Sequence, residues 1–277
     1  MSQGGKEKGE RDAGLLLRGG RLVPGPLRTP LPAPAPATKG EGPIVTAILA
    51  AAGVGERLGR ARAFIELAGH PLIWHSLRVL EESLQVDAVI LVVAPEEEAA
   101  AREFIAGETF TKVRDVVAGG RDRGASIWSG LRRADPRTRI VLIHDGARPL
   151  VTPELVLKAI LRCISTGSAV LAIPVRDSVR RVVREFVTEA VDRKQLHLIQ
   201  TPQAFRYGTI YEAYRRGVER VSWPADDAAL VEELGEAVNL VEGSVENIKI
   251  ATPEDLELAE AILRCRTCRG AGPEGRS

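Results

Sequence analysis

The chain has few of the residues that would place it in several large classes. Only three of its 277 residues are cysteine. That is too few for a disulfide-stapled scaffold and suits a reducing, cytosolic setting. Cys265 and Cys268 form a C-x-x-C pair. A structural zinc takes about four ligands, and no second Cys/His pair stands nearby, so the two read as incidental thiols on a helix end. Aromatic residues make up 4%, which argues against a stacking platform for single-stranded nucleic acid. Neither sign of charge dominates: the net charge is +1, so no global field gathers nucleic acid. No apolar run approaches the roughly 20 residues that span a bilayer, and residues 15–17 are far too short for a signal-peptide core. The expectation is a cytoplasmic protein without nucleic-acid or membrane partners.

What is present suits one sizeable globular domain with tails: 44% of the residues are hydrophobic and 27% charged. The core has to rest on Ala, Val, Leu and Ile. Residues 1–43 read as a disordered tail, polar at first and then carrying the alternation LPAPAPAT, a polyproline-type spacer that buries nothing. Residues 267–277 read as a second tail. Between them strands and helices alternate. Strands are predicted over 44–49, 86–93, 112–117, 139–143 and 169–175, and helices over 71–83, 96–105, 125–134 and 153–165. This order predicts an α/β fold, a mostly parallel sheet flanked by helices, with ligands gathering at the carboxyl ends of its strands. The alternation breaks after Val175. Residues 177–197 are basic and Val/Arg-rich, and read as an extended arm, either an oligomer contact or a solvent-exposed hairpin. Helices over 207–220 and 227–233, strands over 238–241 and 247–250, and a helix over 253–266 close the domain.

Candidate site residues sit at the strand ends. The first strand empties into Ala50-Ala51-Ala52-Gly53-Val54-Gly55, followed by Arg57, Arg60 and Arg62. Small residues let backbone N–H groups close on an anion, and arginines add charge and forked donors. The loop is neither a Walker A loop nor the dinucleotide fingerprint, and by itself it equally suits an ordinary Gly/Ala-rich turn. Gly119-Gly120-Arg121-Asp122-Arg123 follows the third strand and Ser126 opens a helix, a cradle for a nucleobase or simply a turn with a hydroxyl cap. Asp145, at the tip of a buried strand, can hold a divalent cation together with phosphate oxygens, or pair with Arg148 for structural reasons. His144 reads as structural. Lys249, between Ile248 and Ile250, would be costly to bury without an anion.

Taken together, AAGVGERLG, AGGRDRGASIWSGL, IHDGARPLV, PVRDSVRRV, VDRKQLHLIQTPQAF and LVEGSVENIKI with PEDLELAEAIL keep the order and spacing of a known family over some 220 residues. The chain from about Ile44 to Leu263 resembles 2-C-methyl-D-erythritol 4-phosphate cytidylyltransferase. The resemblance implies a Rossmann-like nucleotidyltransferase fold with an extended β-arm, and a homodimer joined by that arm. It implies the reaction of CTP with a polyol phosphate, methylerythritol 4-phosphate, to give the CDP-alcohol and pyrophosphate with Mg²⁺, a step of non-mevalonate isoprenoid synthesis. It assigns Arg57 to the triphosphate, Asp145 to the metal, and Ala51, Ala52, Gly53 and Gly55 to the nucleotide loop. Gly119, Gly120, Arg121 and Ser126 fall where cytosine is read. Arg193, reaching across the dimer, and Lys249 fall on the pair that positions the acceptor phosphate, and Thr201 and Asp226 lie near the acceptor.

One departure stands out. The family pattern has a proline-lysine pair before an aromatic in the first loop, and that lysine stabilises the transition state. Here the stretch is Ala61-Arg62-Ala63-Phe64 in a loop one or two residues shorter. Arg62 keeps the charge but not the shape. A ribitol 5-phosphate cytidylyltransferase and a catalytically impaired nucleotide-binding paralogue are the competing readings.

Overall fold

The structure, a computed structural model, describes residues 15–18, 21–24, 44–55, 60–218, 223–224 and 226–270. Its centre is a seven-stranded sheet. In chain order the elements are β1 (Val45–Ala50), α1 (Leu72–Glu82), β2 (Ala88–Val93), α2 (Glu98–Gly107), β3 (Val113–Ala118), α3 (Arg123–Leu131), β4 (Ile140–Asp145), α4 (Pro153–Thr166) and β5 (Ser168–Pro174). An arm of β6 (Val179–Val183) and β7 (Phe186–Val191) follows. Then come β8 (His197–Arg206), α5 (Tyr207–Gly217), α6 (Asp227–Glu232), β9 (Leu240–Glu242) and α7 (Pro253–Gly270). The strands lie in the order β9-β5-β8-β4-β1-β2-β3. The pairs β4–β1, β1–β2, β2–β3 and β5–β9 are parallel, while β8 runs antiparallel to both β4 and β5.

Both faces of the sheet are covered, which is why its inner strands are apolar on consecutive positions rather than alternating with polar ones. On β1, Ala47 and Leu49 point into one core with Ile73, Leu77 and Leu80 of α1 and Leu155, Val156 and Ile160 of α4. Ile48 points into the other, against Ile127 and Leu131 of α3 and Ile210 and Tyr214 of α5. A smaller cluster seats α7, through Ala259 and Leu263, against Leu67, Leu72 and Leu150. Helix α4 shows how the sequence sets its own limits. Thr152 caps the start, Pro153 takes the first turn where no N–H is needed, and Gly167 ends it at φ +93° with its N–H on Cys163 O.

The predicted alternation up to 175 is the observed one. Five details differ. Residues 197–206, for which the sequence predicts no strand, form β8; Pro202 cannot donate to a ladder, and the polar run Gln200, Thr201, Gln203 interrupts the apolar pattern of a strand. The β5–β8 ladder absorbs this with a shift of register between Val170 and Ala172. Residues 247–250, read as a strand, carry no ladder: Ile250 N–H reaches a single carbonyl, Ala147 O, at 2.8 Å. Helix α3 begins at Arg123, and its cap is Asp122, not Ser126: the Asp122 carboxylate accepts from Ala125 N–H at 2.8 Å. Helix α7 continues to Gly270, and the short strands Leu15–Arg18 and Arg21–Pro24 pair with each other inside the segment read as a tail.

Leu142 sits in the middle of β4 with no exposed surface. Leu142→Ala is expected to lower the unfolding free energy by about 2–5 kcal/mol, read from urea denaturation monitored by circular dichroism.

Candidate active site

The register of the parallel pair sets Asp145, the last residue of β4, level with Ala50, the last of β1. The loop after β1 and the tip of β4 therefore open on the same edge of the sheet. Between them lies a cleft of about 320 Å³ lined by Ala50–Gly53, Gly120–Arg123, Ser126, Asp145–Ala147 and Lys249, at the lower end of the range for ligand sites.

The charges in the cleft are arranged around one carboxylate. Asp145 Oδ1 accepts from Arg123 Nε at 2.9 Å and Oδ2 from Lys249 Nζ at 3.0 Å. The other two guanidinium nitrogens of Arg123 fork onto Asp227, Nη1 to Oδ1 at 3.0 Å and Nη2 to Oδ2 at 2.8 Å. Asp227 also accepts from the Tyr214 hydroxyl. Burial alone would raise the Asp145 carboxyl, but the charges of Arg123 and Lys249 outweigh it and hold it below the usual carboxylate range. Burial alone would likewise lower Arg123, and the two carboxylates more than reverse that. The two cations differ in freedom. Arg123 is tied to an Asp227 with no exposed side-chain surface, whereas the Lys249 side chain is 43% exposed.

Behind Asp145 a chain of hydrogen bonds fixes its backbone. Asp145 N–H donates to Thr201 Oγ1 at 3.0 Å, Thr201 Oγ1 lies 3.0 Å from His144 Nδ1, and His144 Nε2 lies 3.1 Å from Arg148 O. A carbonyl only accepts, so Nε2 carries the proton and Nδ1 accepts from the threonine hydroxyl. Burial drives the His144 imidazole down to about 4, the Asp145 charge offsetting only part of this, so the ring is neutral at pH 7. Lys249 is held from the same side: Asn247 Nδ2 donates to Thr201 O at 2.8 Å and Arg148 Nη1 to Asn247 O at 2.7 Å. A third support covers the start of α3. The indole of Trp223 lies where Gly124 and Gly217 have no side chain; a Cβ would meet it at 2.2 Å and 2.5 Å respectively. The same ring packs on Tyr214 with centroids 5.2 Å apart.

The cleft brings together Ala51, Ala52, Gly53, Gly120, Arg121, Ser126, Asp145 and Lys249 of the residues singled out in the sequence. Ala51 N–H is spent on Val92 O and Gly119 N–H on Val93 O, so those two amides do not face a ligand. Ser126 accepts from Gly120 N–H at 3.1 Å and donates to Asp122 O at 2.8 Å, tightening the turn. Thr201 lies beneath Asp145. Asp226 caps α6 by accepting from Ala229 N–H at 3.0 Å. Arg193 stands at the base of the arm, donating to Arg176 O. Gly55 pairs in a short ladder, Val54–Gly55 with Arg60–Ala61, and Arg62 opens the 3-10 turn Arg62–Phe64. Arg57 lies outside the described residues. Asp145 pairs with Arg123 and Lys249 rather than with Arg148, whose hydrogen bonds run to the carbonyls of Asn247 and Ile199. Arg123, Asp227 and Tyr214 are not among the residues the sequence points to. The signals were the second arginine of Gly120-Arg121-Asp122-Arg123 and the doubled Asp226-Asp227.

The model of the family described as 2-C-methyl-D-erythritol 4-phosphate cytidylyltransferase matches residues 45–265. A relative of that name from Pelotomaculum thermopropionicum is 43% identical over 235 residues, covering 83% of this chain and 99% of the relative. One from Alkaliphilus metalliredigens is 41% identical, covering 80% and 94%. The crystal structure of 4-diphosphocytidyl-2C-methyl-D-erythritol synthase from Anaerococcus prevotii superposes with a TM-score of 0.72 at 30% identity, over 80% of this chain and 96% of that one.

The neutral, buried His144 makes stability depend on pH. Between its ordinary 6.5 and about 4 the unfolded chain binds a proton that the folded chain refuses, so stability falls as the pH is lowered through that window. This is worth up to about 3 kcal/mol. His144→Gln is expected to flatten the slope of unfolding free energy against pH between 4 and 6.5; an unchanged slope would refute the assignment.

Proposed function

The chain belongs to the 2-C-methyl-D-erythritol 4-phosphate cytidylyltransferase family, and we propose on that basis that it transfers CMP from CTP to 2-C-methyl-D-erythritol 4-phosphate. The products are 4-diphosphocytidyl-2-C-methyl-D-erythritol and pyrophosphate. The observation that carries this reading is the carboxylate of Asp145 between two cations at the mouth of a small-residue loop, in a cleft of about 320 Å³. An oxygen of the acceptor phosphate attacks the α-phosphorus of CTP in line, and the bond to pyrophosphate breaks. A phosphate monoester is already a competent nucleophile at neutral pH, so no strong base is needed. The protein's task is to position two anions and neutralise their repulsion.

The residues fit Mg²⁺ as cofactor. No group of three ligating side chains occurs among the described residues, but this ion commonly takes one or two carboxylates and fills its shell with phosphate and water oxygens. Asp145, ionised at the tip of β4, would hold it, and the ion would supply charge neutralisation at the triphosphate. Lys249, half-exposed, leaves Asp145 for an incoming phosphate. Ser126 and the Gly119–Arg121 turn frame the cytosine, and Arg57 and Arg62 take up charge developing on the triphosphate. Thr201 supports the site from beneath Asp145, and Asp226 stands on the acceptor side.

The arm supports a homodimer. Phe186 is 74% exposed and Val187 65%, on a hairpin whose residues are nearly all exposed among the described residues, and apolar surface of this kind marks an association site. Arg193, at the arm's base, then reaches a partner's acceptor phosphate. The free thiols and the absence, among the described residues, of a helix fit to cross a membrane accord with a cytoplasmic setting.

The direct test follows pyrophosphate release from CTP with Mg²⁺ and either methylerythritol 4-phosphate or ribitol 5-phosphate. Release with the first acceptor is expected, and CTP binding without release would overturn the reading. In the same assay Asp145→Asn should nearly abolish turnover while the circular dichroism spectrum stays unchanged. For the arm, Phe186→Glu should turn a dimer into a monomer in analytical ultracentrifugation; an unaltered chain that sediments as a monomer would reject the arm's role.

A further inference from the structure

We propose that Arg123 is a positioning residue for the transfer, clamped by Asp227 so that it pins one oxygen of Asp145 and leaves the other free to exchange Lys249 for ligand. This rests on the reading above that Asp145 sits at the triphosphate. The three guanidinium nitrogens are divided between two carboxylates, one bond to Asp145 and two to Asp227. Asp227 is wholly buried and its Oδ1 also takes the Tyr214 hydroxyl, while Trp223 closes over Gly124 and Tyr214. Arg123 cannot swing into the cleft without leaving Asp227 charged and unpaired in the interior, which is prohibitive. Lys249 carries its charge on a flexible stem in a half-exposed position and can leave at little cost.

Charge counting gives the clamp its purpose. Two carboxylates and two cations balance while Lys249 rests on Asp145. When Lys249 moves to a phosphate, Arg123, Asp145 and Asp227 keep one net negative charge, and the oxygen released is the Oδ2 that faced Lys249. Were Asp227 uncharged, Arg123 alone would neutralise Asp145, and the site would lose the charge that attracts a divalent cation. Asp227 thus sets the net charge around Asp145 through Arg123. An orienting partner one step removed from a metal site is typically worth about 10–100-fold in affinity or rate.

The test uses the full chain with Mn²⁺ as the probe, free Mn²⁺ being read by electron paramagnetic resonance in the presence of CTP, alongside kcat and KM. Arg123→Lys keeps the charge but loses the fork; Asp227→Asn keeps the shape and an acceptor for Tyr214. Both are expected to weaken Mn²⁺ binding and lower kcat about 10–100-fold, with KM for CTP moving little. Variants that lose only thermal stability, holding Mn²⁺ affinity and kcat at the parent's values, would overturn the proposal. Should Arg123→Lys prove too unstable to purify, Asp227→Asn decides it. A parent chain that neither forms product nor binds Mn²⁺ with CTP would overturn the functional reading and this proposal together, whereas an active parent with indifferent variants overturns the role of Arg123 alone.

Discussion

The carboxylate of Asp145 ends a strand buried along its whole length, and cations from two distant parts of the chain meet it there. An ionised group so placed is costly to desolvate, and the surrounding architecture can be understood as meeting that cost. The parallel register brings the first loop alongside. Helix α3 begins where its first residue can reach the carboxylate. The irregular segment carrying Lys249 is tied down by Asn247 and Arg148 so that its ammonium arrives from the other side.

The polar structure beneath the site is as closely specified as the site itself. Thr201 takes the Asp145 amide proton and gives its own to His144, which passes a third hydrogen bond to the Arg148 carbonyl. Each group in the relay has one role open to it, because a neutral imidazole has one donor and one acceptor nitrogen. The antiparallel strand β8, inserted between β4 and β5, makes this possible, since it alone lays Thr201 across the end of β4. That strand also receives the arm through the 3-10 turn Arg193–Gln195, so the outermost hairpin and the floor of the cleft belong to one continuous stretch of chain.

Much of this was legible in the sequence. Consecutive apolar residues in 44–49, 86–93 and 139–143, each followed by a helical period, give the parallel sheet directly, and the residues after each strand give the site. Asp145 is legible as a carboxylate at a strand tip. Lys249 does meet a charged partner, but not for the reason its isoleucine neighbours suggest: the segment carries no ladder and the side chain is 43% exposed, so no burial cost calls for an anion there. Their meeting was not legible, because 104 residues separate them and only the sheet topology brings them together. Strand β8 was hidden by Pro202 and by polar side chains that point into a hydrogen-bonded interior rather than to solvent. Arg123 was hidden by its neighbours: in Arg121-Asp122-Arg123 nothing local says which arginine turns inward, and the answer lies with Asp227, on a different helix.

The seat of Trp223 constrains how the chain can change. A methyl group at either Gly124 or Gly217 would overlap the indole, and a smaller ring at 223 would leave a void beside Gly124 and Tyr214. The three positions therefore vary as a set: enlargement at one glycine becomes tolerable only once the tryptophan has shrunk, so drift at this corner of the molecule must pass through paired substitutions.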